Sequence, residues 1–172
     1  MRFAYYDSLS AGSKRTYRKS DALLRIAVPD VAALVPVATS IEPALAAANL
    51  TQVERACQAL VDGLNARLGT PPIVVRVLER RPANNAGELH GLYEPEDEGE
   101  RARITVWMRT AARRDVVAFK TFLRTLVHEL CHHLDYELYK LPETFHTEGF
   151  YKRESTLANA LLAQEGAQAG GS

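Results

Sequence analysis

His128-Glu129-Leu130-Cys131-His132 places two imidazoles four residues apart, with a carboxylate beside the first. On a helix this spacing projects both rings from one face, where they can grip a single Zn²⁺. It also sets the glutamate to take a proton from a water at the metal. No other motif in the 172 residues names a reaction. The same string occurs by chance on solvated helices, so the surrounding pattern has to decide. At about 100° per residue, His132 falls about 40° from His128 and Asp135 about 20° to its other side. Phe119, Leu123, Leu126, Leu130 and Leu134 gather at about 140–240° on the same wheel, with Val127 on the shoulder. The helix therefore has an apolar back for a core and a polar front carrying both histidines. His133, at about 140°, is turned off that front and reads as structural.

A catalytic zinc takes three protein ligands and keeps a fourth position for water. Pro142 stops the helix at or just before Leu141. His146 follows fourteen residues after His132, enough chain to finish the helix, turn and return, and it is the expected third ligand. Three carboxylates compete with it. Asp135 has the right azimuth but sits on the same rigid helix, so it better suits a hydrogen bond to a ligand imidazole. Glu154, at the start of the next helix, has the spacing of two-His-one-Glu sites and is the alternative ligand. Glu148 falls where a residue would cap that incoming helix. Tyr136, Tyr151 and Arg153 are close enough in sequence to be candidate donors to a developing oxyanion.

The segment H-E-L-C-H-H, His128 to His133, followed by H-x-x-x-F, His146 to Phe150, resembles the SprT-like zinc metallopeptidases of the minigluzincin type. The likeness covers residues 119–160, is vague over 70–118 and does not reach the first 65. Members often carry Gly-Pro after the third histidine, where this chain has Thr147-Glu148-Gly149. The resemblance implies an α+β, zincin-like fold, with a small three-stranded or slightly larger sheet packed on the active-site helix. It implies metal ligation by His128, His132 and His146, with Glu129 as catalytic base. The implied activity is a zinc-dependent endopeptidase acting on a protein or peptide. Two other readings stand beside it. One is a metal-bound regulatory module without turnover, against which the intact Glu129 argues. The other is a DNA-associated protease, for which basic clusters at 14–19 and 109–114 are the only support.

Those residues need a scaffold. An apolar content of 47% in a chain of this length suits one domain with a real core. Lysines and arginines number 21, as do the acidic residues, so net charge gives no push toward nucleic acid or membrane. Cys57 and Cys131 have no C-x-x-C spacing, which suits a reducing cytosol, and Cys131 reads as a small buried hydrophobe. No signal-peptide pattern opens the sequence, and no apolar run is long enough to span a bilayer. A cytoplasmic protein without a membrane partner is the expectation.

Residues 1–50 are expected to form an N-terminal helix over 8–20, opened by Ser8 or Ser10, and a Pro/Ala-rich connector packed on the body. Pro29, Pro36 and Pro43 forbid one long helix there. Residues 51–164 form the expected metallopeptidase domain. It begins with a helix over 51–68, with Thr51 as N-cap and Glu54 completing a capping box. Strands are expected at 73–78, 88–93 and 103–108, an exposed acidic loop at 94–100, the metal helix at 115–139 and a closing helix at 149–164. Residues 165–172 read as a disordered tail.

Overall fold

Ser10 starts the first helix. Its hydroxyl accepts the Ser13 amide, and α1 runs Ala11–Ala22 behind a 3-10 turn at Ala4–Ser8 in this computed structural model, which describes residues 2–163. The expected tail lies outside the described residues. The prolines cut the next stretch into short pieces: a 3-10 turn at Val31–Leu34, α2 at Val35–Thr39 with Pro36 in its first turn, and α3 at Ile41–Ala46. The next helix, α4, spans Leu50–Leu68 and ends at Gly69 in the left-handed conformation. The Thr51 capping box does not form. Ala48 turns the chain at φ 50, Asn49 becomes the first residue in, and its side chain accepts the Gln52 amide at 3.1 Å. Glu54 is thereby released to accept the Val77 amide at 3.0 Å, which ties α4 to the sheet.

The two long strands follow from β-branched runs. The strand β1 is Val74–Arg80. A two-stranded ribbon, β2 (Ala83–Asn84) and β3 (Gly87–Glu88), occupies the expected turn region. It is followed by β4 (Gly91–Glu94) and β5 (Arg103–Arg109). In β5, Ile104 through Met108 are all buried, as a central strand covered on both faces requires. The order is β1-β5-β4. β1 runs parallel to β5, with Val75 opposite Ile104 and Val77 opposite Val106. β4 runs antiparallel, with Gly91 opposite Val106 and Tyr93 opposite Ile104. The three-stranded sheet is thus mixed, and β4 is an edge.

The histidine-bearing helix α5 spans Phe119–Glu137, four residues shorter at its start than its polarity pattern suggested. Residues 115–117 continue along β5 instead, where the Val117 amide donates to the Met108 carbonyl at 2.8 Å. Leu123, Leu126, Leu130 and Leu134 are buried at 0–1% exposure, so the apolar back packs as expected. Lys140 at φ 53 turns the chain before Pro142. The last helix, α6, spans Glu148–Leu162 and is capped by Thr147 rather than Glu148: the threonine hydroxyl accepts the Phe150 amide at 2.9 Å. Ile41 and Leu45 of α3 share one apolar cluster with α4, α5, α6 and the sheet. Cys57 and Cys131 are free thiols inside it. Among the described residues, no helix is long and apolar enough to cross a membrane.

Candidate metal centre

α5 brings His128 and His132 one turn apart, and the segment between Pro142 and α6 returns His146 to them. One ring nitrogen from each lies within 4.8 Å of the others, so the three could hold one metal ion. The Nε2 atoms of His132 and His146 are 3.0 Å apart. That is near the edge of about 3.3 Å expected between two nitrogens bound tetrahedrally at about 2.0–2.1 Å.

Neighbouring groups fix which nitrogen of each α5 histidine faces the centre. Glu154 Oε1 lies 3.2 Å from His128 Nδ1. A carboxylate only accepts, so Nδ1 carries a hydrogen, and in the neutral ring that can bind a metal Nε2 is the bare nitrogen. The Thr144 hydroxyl donates its one hydrogen to Asp135 Oδ2 at 2.8 Å. At His132 Nδ1, also 2.8 Å away, it must therefore accept. His132 too presents a bare Nε2. His146 is held from behind, where Tyr5 donates its hydroxyl hydrogen to the His146 carbonyl at 2.7 Å. The ring of Phe150, fully buried, lies 4.8–5.2 Å from all three imidazoles and closes one side of the cluster to water.

Electrostatics favour neutral, ligand-ready rings at two of the three positions. Burial, then the neighbouring His128 and His146, push His132 down to about 3. Burial and His128 also lower His146. Burial acts downward on His128 as well, but the Glu154 carboxylate outweighs it and leaves that ring above its ordinary value. Glu129 is 7% exposed, and burial raises its carboxyl above the usual range despite the pull of His128.

The histidines open onto a cleft of about 700 Å³ between α5 and the edge strand β4. At Gly91 the two walls approach closely. A Cβ there would lie 2.7 Å from Glu129 Oε1 and 2.9 Å from Thr125 Cγ2. The position is thus kept clear for the carboxylate. Tyr93 anchors the same strand. His133 Nε2 lies 3.1 Å from the Pro71 carbonyl and must donate to it, so its Nδ1 accepts from the Tyr93 hydroxyl at 3.1 Å. The Tyr93 ring also lies nearly parallel to His132, with centroids 6.4 Å apart.

The sequence candidates sort clearly. His128, His132, His146 and Glu129 come together. Glu154 touches His128 from behind, on the nitrogen that faces away from the centre. Asp135 reaches His132 only through Thr144. His133 is structural, and burial raises the Cys131 thiol well above its ordinary value. Arg153 is corrected as an oxyanion donor: it is 0% exposed and donates to Asp135 Oδ1, to the Ser20 hydroxyl and to the Ser20 and Leu23 carbonyls. Its position on α6 points it into the joint with α1 rather than the cleft. Tyr136 lines the cleft, and the Tyr151 ring stands 5.7 Å from His146. Thr144, Tyr93, Gly91 and Tyr5 were not foreseen. Tyr93, Gly91 and Tyr5 act on residues about 40 or more positions away, and Thr144 acts through a pair formed only when the segment after α5 folds back. A scan against protein-family models finds no match for this chain, and comparisons with curated proteins and with solved structures find none either.

Proposed function

We propose that this chain is a zinc-dependent metallopeptidase of SprT-like, zincin-like type, with His128, His132 and His146 holding the ion and Glu129 serving as general base. The observation that carries the reading is the convergence of three imidazoles, two with their bare nitrogen fixed by a partner behind, beside a carboxylate with almost no access to solvent. Three clustered imidazoles, one pair of them at tetrahedral-edge spacing, suit zinc, and the donor set leaves the cleft side open. When bound, zinc lowers the pKa of a coordinated water toward about 7 and polarises a carbonyl. Glu129 takes a proton on its carboxylate and returns it to the departing amine nitrogen. A carboxyl raised by burial is suited to hold that proton between the two transfers. Glu154 and the Thr144–Asp135 pair keep the imidazoles aimed. Tyr136 and Tyr151 are the remaining candidates to donate to the oxyanion.

The edge position of β4, on the opposite wall from Glu129, supports a peptide as the substrate, since an extended chain can pair with its free side. The test is hydrolysis of a degenerate pool of quenched peptides by zinc-loaded, chelated and zinc-restored protein. The reading expects cleavage that disappears with the metal and returns with it. Cleavage indifferent to chelation would overturn it.

A further inference from the structure

The cleft holds four charged side chains besides its histidines: three carboxylates and a guanidinium. The carboxylates are all committed. Glu88 accepts the Ala111 amide at 2.7 Å and lies 3.7 Å from Arg81, Glu154 faces His128, and Glu129 is the buried base. The cation is Arg124. It sits on α5 four residues before His128, on the cleft-facing side, and is exposed. Its one hydrogen-bond partner among the described residues is the Asn159 side-chain oxygen on α6, 2.9 Å from one terminal nitrogen, and no described carboxylate pairs with it. Asn159 therefore steers the guanidinium without neutralising it. Across the cleft, Leu89 and Leu92 offer exposed apolar surface.

We propose that Arg124 is a specificity-determining residue that receives an acidic group of the substrate; this rests on the peptidase reading. The position sets the reach. Four residues of helix advance about 6 Å, and an extended peptide advances about 3.3 Å per residue. The acidic group therefore lies about two residues from the scissile bond, on the side toward the start of α5. A planar guanidinium with free N–H donors matches a carboxylate in two-point contact. That carboxylate is either an aspartate or glutamate side chain or the peptide's own C-terminus.

The test uses zinc-loaded Glu129→Gln protein, so that binding is read without turnover. Fluorescent peptide pools carry Asp, Asn or Lys at fixed positions, each with a free or amidated C-terminus, and Kd is measured at low and high salt. The expected result is binding of the acidic pools at least about threefold tighter than the neutral ones, an advantage that shrinks with salt. Arg124→Gln removes the preference, Arg124→Glu shifts it toward the Lys pools, and zinc stoichiometry stays the same in both. A preference that survives amidation assigns the side-chain carboxylate, and one that amidation abolishes assigns the chain terminus. Equal binding of the acidic and neutral pools, a preference unchanged in Arg124→Gln, or no binding of any pool would overturn the proposal. The peptidase reading fails separately, if wild-type zinc-loaded protein leaves every bound pool uncut.

Discussion

Asp135 and His132 leave the same helix less than one turn apart, yet they belong to two polar clusters of opposite kind. Behind α5, Asp135 accepts from Arg153 and Thr144, and Arg153 spends its two terminal nitrogens on α1 and Asp135. Only its Nε lacks a partner. Both side chains are fully buried, so every charge there is answered from within. In front, imidazole nitrogens converge with no lysine or arginine among the described residues paired to them, and they face a cleft. The same two helices and the same connecting segment build both clusters. The difference teaches that buried charge alone does not mark a site; convergent acceptors left unanswered do. Thr144 joins the two, because its hydroxyl donates backward to Asp135 and accepts from His132 in front.

This contrast can be broken from either side. The largest effect is expected in front. Glu129→Gln should lower hydrolysis by about 10²–10⁴-fold, the range for a lost general acid–base, while zinc content and unfolding midpoint hold. Behind, Arg153→Met strands a buried carboxylate. Denaturant unfolding should report a loss of about 3–5 kcal/mol, against little change for Glu129→Gln. If Arg153→Met left stability intact, the sealed cluster would not be a structural joint. Thr144→Val tests the link. Removing the hydroxyl frees the His132 ring to turn, and zinc affinity should fall by about 10–100-fold in a competition titration. The smallest effect is Tyr93→Phe. It removes one hydrogen bond to His133 and should cost about 1 kcal/mol of stability without altering zinc content.

The pattern around α5 explains why the front cluster was legible in the sequence. Helical periodicity sorts Leu123, Leu126, Leu130 and Leu134 from His128 and His132, and that sorting is local. Strands β1 and β5 followed from β-branched runs, whereas β4 has no β-branched residue and starts three residues later than the strand expected at 88–93, Glu88 pairing in the small ribbon instead. β1 beside β5 in parallel could not be read, because register across a crossover is a tertiary fact. The start of α5 was misplaced for the same reason: pairing with β5 captured residues 115–117. The Thr51 capping box failed because Ala48 adopts a left-handed turn that no residue type announced. Arg153 looked like a cleft residue by proximity along the chain, but α6 rotates it into α1, where Ser20 awaits it 133 positions away. Thr144 carries no signature at all; its role exists only once Asp135 and His132 flank it.

The account depends on one ion held by three imidazoles from two segments. Titrating metal-stripped protein with zinc, with X-ray absorption at the zinc edge on wild type and on His146→Ala, tests this most directly. The account predicts one zinc per wild-type chain, with three histidine nitrogens at about 2.0–2.1 Å, and a sharp fall in affinity with one fewer histidine in the variant. Full-affinity binding and an unchanged shell in His146→Ala, or no stoichiometric zinc in the wild type, would contradict it.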